Sequence, residues 1–176
     1  MKVPADGVTV ATRVAALVAA FGLIGAAAFG VLWWRTEHGT GVQTARARDS
    51  ALAAARQIAV NLQTLDYRTV DKGLDTWKAS TTGPLLGEFQ KNYQQYAAEI
   101  TAVQTTTNAR LVDAALSDLD PAGGKATAIA ALDVSTTKMI NGAPSRPIVK
   151  QVRIQLVLVR TPDAGWKAAA AGPITS

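Results

Sequence analysis

Four side chains of this sequence could act as an acid or a base: Asp66, Tyr67, Asp113 and Asp133. Tyr93 and Tyr96 could add hydrogen bonds from their hydroxyls. General acid–base chemistry needs such a group within hydrogen-bond reach of the reacting proton, with a pKa tuned by its surroundings. The local contexts point elsewhere. Asp66 and Tyr67 close a helical segment, where such residues cap or turn the chain. Asp133 sits among threonine and serine on the solvent face of a strand. The expectation is that no residue is catalytic and that the chain is not an enzyme. Cysteine is absent and His38 is the single histidine. Thiolate chemistry and disulfides are thereby excluded, as are a Ser-His-Asp triad or a histidine-built metal site away from His38. No metal and no cofactor is expected. Trp77 and Trp166 read as core residues rather than ligand contacts. Asp71, Lys72, Asp75 and Lys78 alternate in sign on a short helix and read as a solvated face, each contributing little.

The 176 residues hold one domain plus an extra segment, and an apolar fraction of 48% is enough to build a core. The net charge of +5 comes from scattered positive residues with acids among them. No basic stripe interleaved with aromatics is present, so nucleic-acid binding is not expected.

The extra segment is apolar. No charge interrupts VAALVAAFGLIGAAAFGVLWW between Arg13 and Arg35. As a helix, residues 14–34 span roughly 31 Å, enough for a hydrocarbon core of about 30 Å. A soluble amphipathic helix would show polar residues at a helical period, and none is present. A cleaved signal is the competing reading, with Arg13 ending its charged region and Ala26-Ala27-Ala28 as the cleavage site. The apolar run, however, continues past those alanines to Trp33 and Trp34, an interfacial pair followed by arginine. The segment therefore reads as a retained single-pass anchor. Lys2 and Arg13 precede it and Arg35, Arg46 and Arg48 follow it, so charge alone leaves the orientation open. The balance leans slightly against export, but large domains translocate largely regardless of charge, and the reading adopted is a cytoplasmic tail with the C-terminal domain outside. Gly22, Ala26 and Gly30 share one helix face, a spacing that lets a second helix approach closely. An alanine-rich composition produces the same spacing without such a role. The expected organisation is a cytoplasmic tail (1–13), a transmembrane helix (14–34), a linker (35–41) and an extracytoplasmic domain (42–176).

Within that domain the apolar period changes partway. Ala51, Leu52, Ala55, Ile58, Ala59, Leu62 and Leu65 predict a helix from about Val42 to Leu65. A second helix is predicted over Thr69–Ala79 with Thr69 as N-cap. A third covers Leu85 to about Ala102, with Leu86, Phe89, Tyr93, Tyr96 and Ile100 on one face. Strands are predicted over Asn108–Leu119, Lys125–Met139, Ile148–Arg160 and Trp166–Ile174, separated by turn residues such as Asn141-Gly142. In VKQVRIQLVLVR, Val152, Ile154, Leu156 and Leu158 alternate with Gln151, Arg153 and Gln155. The last strand is weak, because its four alanines have poor strand propensity. Helices followed by consecutive antiparallel strands imply an α+β domain with helices packed on a curved sheet.

Leu65-Asp66-Tyr67-Arg68-Thr69-Val70-Asp71 after the first helix, Thr82-Gly83 before a helix carrying Phe89 and Tyr93, and Gly165-Trp166-Lys167 opening the last strand form a combination. With the N-terminal anchor, it resembles the Mce-associated membrane proteins of actinobacteria. The resemblance implies a cystatin-like or nuclear-transport-factor-2-like domain outside the membrane. It also implies a non-enzymatic accessory subunit that stabilises an Mce-type lipid or sterol import complex, with Mce transporter subunits or a second copy as partners. The architecture also resembles the single-pass assembly factors of type IV secretion. A lipid- or small-molecule-binding module is the other class left open.

Overall fold

The computed structural model describes residues 40–174. The expected tail, the span 14–34, its small residues Gly22, Ala26 and Gly30, and its tryptophans Trp33 and Trp34 lie outside the described residues. Among the described residues no helix is long and apolar enough to cross a membrane.

Helix α1 runs over Thr40–Gln63. Its sequence is rich in alanine, the best helix former. Ala47, Ala51, Ala55, Ile58 and Ala59 recur at helical spacing and are buried. Strand β1 (Leu65–Asp66) and a 3-10 turn (Tyr67–Thr69) lead into α2 (Val70–Ser80). Thr69 occupies the N-cap position of α2, but its side chain makes no capping bond. The predicted third helix is two helices, α3 (Gly83–Lys91) and α4 (Tyr93–Val103), joined at Asn92 with φ −101° and ψ 11°. They part because they have different partners: α3 packs on the last strand and α4 on α2.

The strands that follow are β2 (Thr105–Asp120), β3 (Lys125–Ile140), β4 (Ala143–Pro144), β5 (Ile148–Thr161) and β6 (Gly165–Pro173). They form one antiparallel sheet in the order β1-β2-β3-β5-β6, with β4 paired to the end of β3. Register shifts at Leu111/Asp113, Leu116/Asp118 and Val157/Leu158 mark bulges, the device by which a sheet curls. Asn141 and Gly142, both at positive φ, make the two-residue turn between β3 and β4 that an Asn-Gly pair favours.

One face of the sheet and the buried face of α1 form a single core. The sheet contributes Ala126, Ala128, Ala130, Leu132 and Val134 from β3 and Ile154, Leu156 and Leu158 from β5, which alternate as the period of two requires. Val152 is half-buried, while Gln151, Arg153 and Gln155 are exposed as expected. Alanine on both sides lets helix and sheet approach closely. The alanine-rich β6 forms despite its weak propensity, because neighbours hold it. Ala168 is fully buried, its carbonyl accepts the Thr82 N–H at 2.8 Å, and Trp166 donates its indole N–H to Ser50 Oγ of α1 at 3.1 Å.

Candidate functional site

The candidate acids serve the backbone or a surface pair. Asp66 Oδ1 accepts the Arg68 N–H at 2.9 Å and the Thr106 hydroxyl at 3.1 Å, fastening the 3-10 turn to β2. The Tyr67 hydroxyl accepts a hydrogen bond from Arg68 Nε at 3.3 Å, and the guanidinium carbon lies 5.3 Å from the Tyr67 ring centre. Asp113 Oδ1 accepts the Ala114 N–H at 2.8 Å, at one of the β2 bulges. Asp133 meets Arg110 at 3.8 Å in a solvent-exposed pair of little energetic weight. Register places Asp133 opposite Arg110, Asp113 opposite Ala131, and Asp66 opposite Thr106, at three separate positions along β2. The acids thus do not converge on one cavity. Among the described residues no cluster of three His, Asp or Glu side chains could hold a metal ion.

The tyrosines lock the helices together. Tyr93 donates its hydroxyl to Asp71 Oδ1 at 2.9 Å and receives Lys78 Nζ over its ring at 4.5 Å. The bond to Asp71 is the main reason that the Tyr93 pKa is pushed up to about 12. Tyr96 donates to Glu88 Oε1 at 3.1 Å, and that bond raises its pKa. Trp77, Phe89 and Tyr96 pack in series, the first pair tilted and the second edge-to-face, with ring centres 5.4 and 6.2 Å apart. They tie α2, α3 and α4 into one layer. Trp77 is half-buried and donates its indole N–H to the Asn61 carbonyl of α1 at 3.0 Å, whereas Trp166 is buried. Both tryptophans are packing residues, as expected. Lys78 and Asp75 pair at 2.7 Å on the surface of α2.

Two open grooves flank β1. One, about 330 Å³, is largely apolar and lined by Leu65, Ile100, Val103 and Thr105. The other, about 270 Å³, is lined by Asn61, Thr64, Asp66, Lys72 and Thr76. Sequence reasoning missed both: the first joins Leu65 to the distant Ile100–Thr105 stretch, and the second forms only where the chain between Asn61 and Thr76 folds back on itself. It also missed the Tyr93–Asp71 lock, whose partners are 22 residues apart.

A domain whose polar side chains serve as internal fasteners, built as a helical layer on a curled sheet, has relatives. The family model described as "Uncharacterized protein Rv1363c/MT1408-like" matches residues 8–168. The chain belongs to this family. No curated protein matches it. Among solved structures, this Rv1363c/MT1408-like chain is similar to an IcmL-like type IV secretion system protein from Legionella pneumophila. Identity there is 15%, the TM-score is 0.54, and 73% of this chain and 94% of that one are covered. It is also similar to CagV, a VirB8 homologue of the type IV secretion system from Helicobacter pylori, at 6% identity, TM-score 0.52, and coverage of 72% and 99%. The periplasmic domain of DotI matches at 14% identity, TM-score 0.51, and coverage of 70% and 93%. At these identities the likeness is one of fold: an α+β domain of the nuclear-transport-factor-2-like type, as expected. The fold type expected from the resemblance is thus in place, while the family shown is the Rv1363c/MT1408-like one and no link to Mce transporters comes with it.

Proposed function

We propose that the chain is a non-enzymatic assembly subunit of an envelope protein complex. In this reading residues 1–13 are cytoplasmic, residues 14–34 anchor the chain in the cytoplasmic membrane, and residues 42–176 form the domain outside. Gly22, Ala26 and Gly30 pack against a partner helix, and Trp33 and Trp34 sit at the interface. The observation that carries it is the fold, shared with two type IV secretion system proteins and with the periplasmic domain of DotI. The engagement of Asp66, Tyr67 and Asp113 in fastening local structure supports a scaffold rather than a catalyst. A type IV secretion-like assembly role is the form that the fold favours. The second form, stabilising an Mce-type lipid or sterol importer, rests on the combination of the Leu65–Asp71, Thr82-Gly83 and Gly165-Trp166-Lys167 segments. A lipid-binding role would use the apolar groove beside Ile100 and Val103.

The test is recovery of tagged full-length chain from mildly solubilised membranes, with co-purifying proteins identified by mass spectrometry. Secretion-type or Mce-type subunits at fixed ratios are the expected result and separate the two forms. Recovery of the chain alone, with extractable lipid in its groove, would replace the assembly reading by the binding-module one.

A further inference from the structure

The end of the sheet that carries the β3–β4 turn differs in surface chemistry from the rest. Ile140, Ile148 and Val149 are 57%, 61% and 62% exposed there, the three highest values among the large exposed apolar side chains of the described residues. Exposed Lys138, Arg146 and Lys150 stand among them. From Val134 to Pro162 the sequence holds no Asp or Glu. Asp133 stands opposite Gln151 in register and is already paired with Arg110, and Glu99 on α4 lines the groove beside Thr105 and Thr107 and accepts a hydrogen bond from Gln95.

The backbone at the same place has an open edge. β5 pairs with β3 along Ile148–Val159, but β6 reaches back only to Ile154. The last described bond on that side runs from the Ile174 N–H to the Arg153 carbonyl. Peptide groups alternate sides along a strand, so Gln151 and Val149 also point their N–H and C=O away from β3. The opposite side of the sheet gives the same phase. The Ala109 N–H reaches outward to Thr64 Oγ1, so its partner Val134 faces β5 and bonds with Lys150, which leaves Val149 turned outward. Among the described residues nothing pairs with Val149 or Gln151 on that side.

We infer that the open edge of β5 at Ile148–Gln151 is a docking site for an extended, acidic segment of a partner protein, which adds to the sheet as a strand. Main-chain bonds to Val149 and Gln151 supply the pairing. Ile148 and Val149 supply apolar contact, and Lys150 with Arg146 and Lys138 selects carboxylates. A second copy is a poor occupant. Edge-to-edge pairing of two β5 strands gathers Arg146, Lys150 and Arg153 of both chains, and like charges on adjoining strands repel. The inference deepens the assembly reading by assigning the surface through which a partner binds.

The test uses purified full-length chain in phosphatidylcholine nanodiscs. The probe is a blocked peptide alternating glutamate and valine, with a lysine–valine peptide as its control. The acidic peptide binds, and the lysine peptide does not. Arg146→Glu with Lys150→Glu weakens binding at least tenfold. Val149→Pro does the same by removing the outward N–H, while melting temperature and circular dichroism stay unchanged, since that N–H has no internal partner. The exposed charge-reversal pair keeps the test decisive if the proline variant misfolds. No binding, or equal binding by all variants, overturns the inference. Self-association that Val149→Pro abolishes would assign the edge to a second copy instead. Binding to phosphatidylglycerol vesicles that charge reversal removes and Val149→Pro leaves intact would assign it to lipid. Peptide binding without co-purifying membrane subunits would leave the edge standing and defeat the assembly reading. The reverse pattern would spare that reading and remove the edge.

Discussion

The two halves of β5 have the same residue chemistry and opposite fates. Ile154, Leu156 and Leu158 are buried, while Ile148 and Val149 are open to solvent. Both stretches mix β-branched or leucine residues with Lys, Arg or Gln, in alternation over Val152–Leu156 and as two apolar then two polar residues over Ile148–Gln151. The difference lies in what covers them. Over the first set lies the alanine face of α1, with Trp166 bonded to Ser50, and β6 closes the edge. Among the described residues the β6 pairing stops at Arg153 and contact with the core stops at half-buried Val152. Propensity makes a strand along its whole length, but only tertiary cover turns an apolar strand into core.

Substitutions on the two halves separate them most strongly. Leu156→Ala is expected to cost about 2–5 kcal/mol, because a fully buried side chain leaves a cavity. Ile148→Ala is expected to stay within about 0.5 kcal/mol. Urea melts of the two variants check this, and equal losses would mean that the hairpin end is also covered. Next in size, Ala55→Leu is expected to cost about 1–3 kcal/mol by forcing α1 off the sheet, since Ala55 is fully buried in the shared core. Leucine at exposed Ala53 on the same helix should be close to neutral in the same melts.

Smaller effects come from the fasteners outside this core. Asp66→Ala removes the cap of the 3-10 turn and the bond to Thr106, with an expected loss of about 0.5–2 kcal/mol. Thermal melts beside Asp66→Asn, which keeps an acceptor, isolate the cap from the charge. The smallest effect is in alkali. Tyr93 is raised in the folded state from its ordinary value near 10 to about 12. The stabilisation this represents is present below pH 10 and is lost as pH rises through about 12, because ionised Tyr93 can no longer donate to Asp71. Melts between pH 9 and 12 should slope less in Tyr93→Phe than in the parent chain.

The sequence made the covered half of β5 readable, because burial and periodicity coincide at Ile154, Leu156 and Leu158. Asn141-Gly142 was readable as a turn because its chemistry is local. The break at Asn92 was not, since the face from Leu86 to Ile100 continues through it and the bend comes from docking α3 and α4 on different partners. β1 was missed for a related reason: Leu65 and Asp66 become a strand only against Thr107 and Thr106, some forty residues away. The structural use of Asp66 was legible from its place after a helix. The open edge at Val149 was not, because nothing in VKQV says where β6 ends.

The most direct test of the assembly role is the abundance of co-purifying membrane subunits in cells that lack this chain. Quantitative mass spectrometry of membranes should show those subunits depleted. Full-length chain should restore them, as should a version carrying Tyr67→Phe, Asp113→Asn and Asp133→Asn at matched expression. Subunit levels that do not change when the chain is removed, or that only the parent chain restores while the triple variant folds normally, would contradict a non-enzymatic assembly subunit.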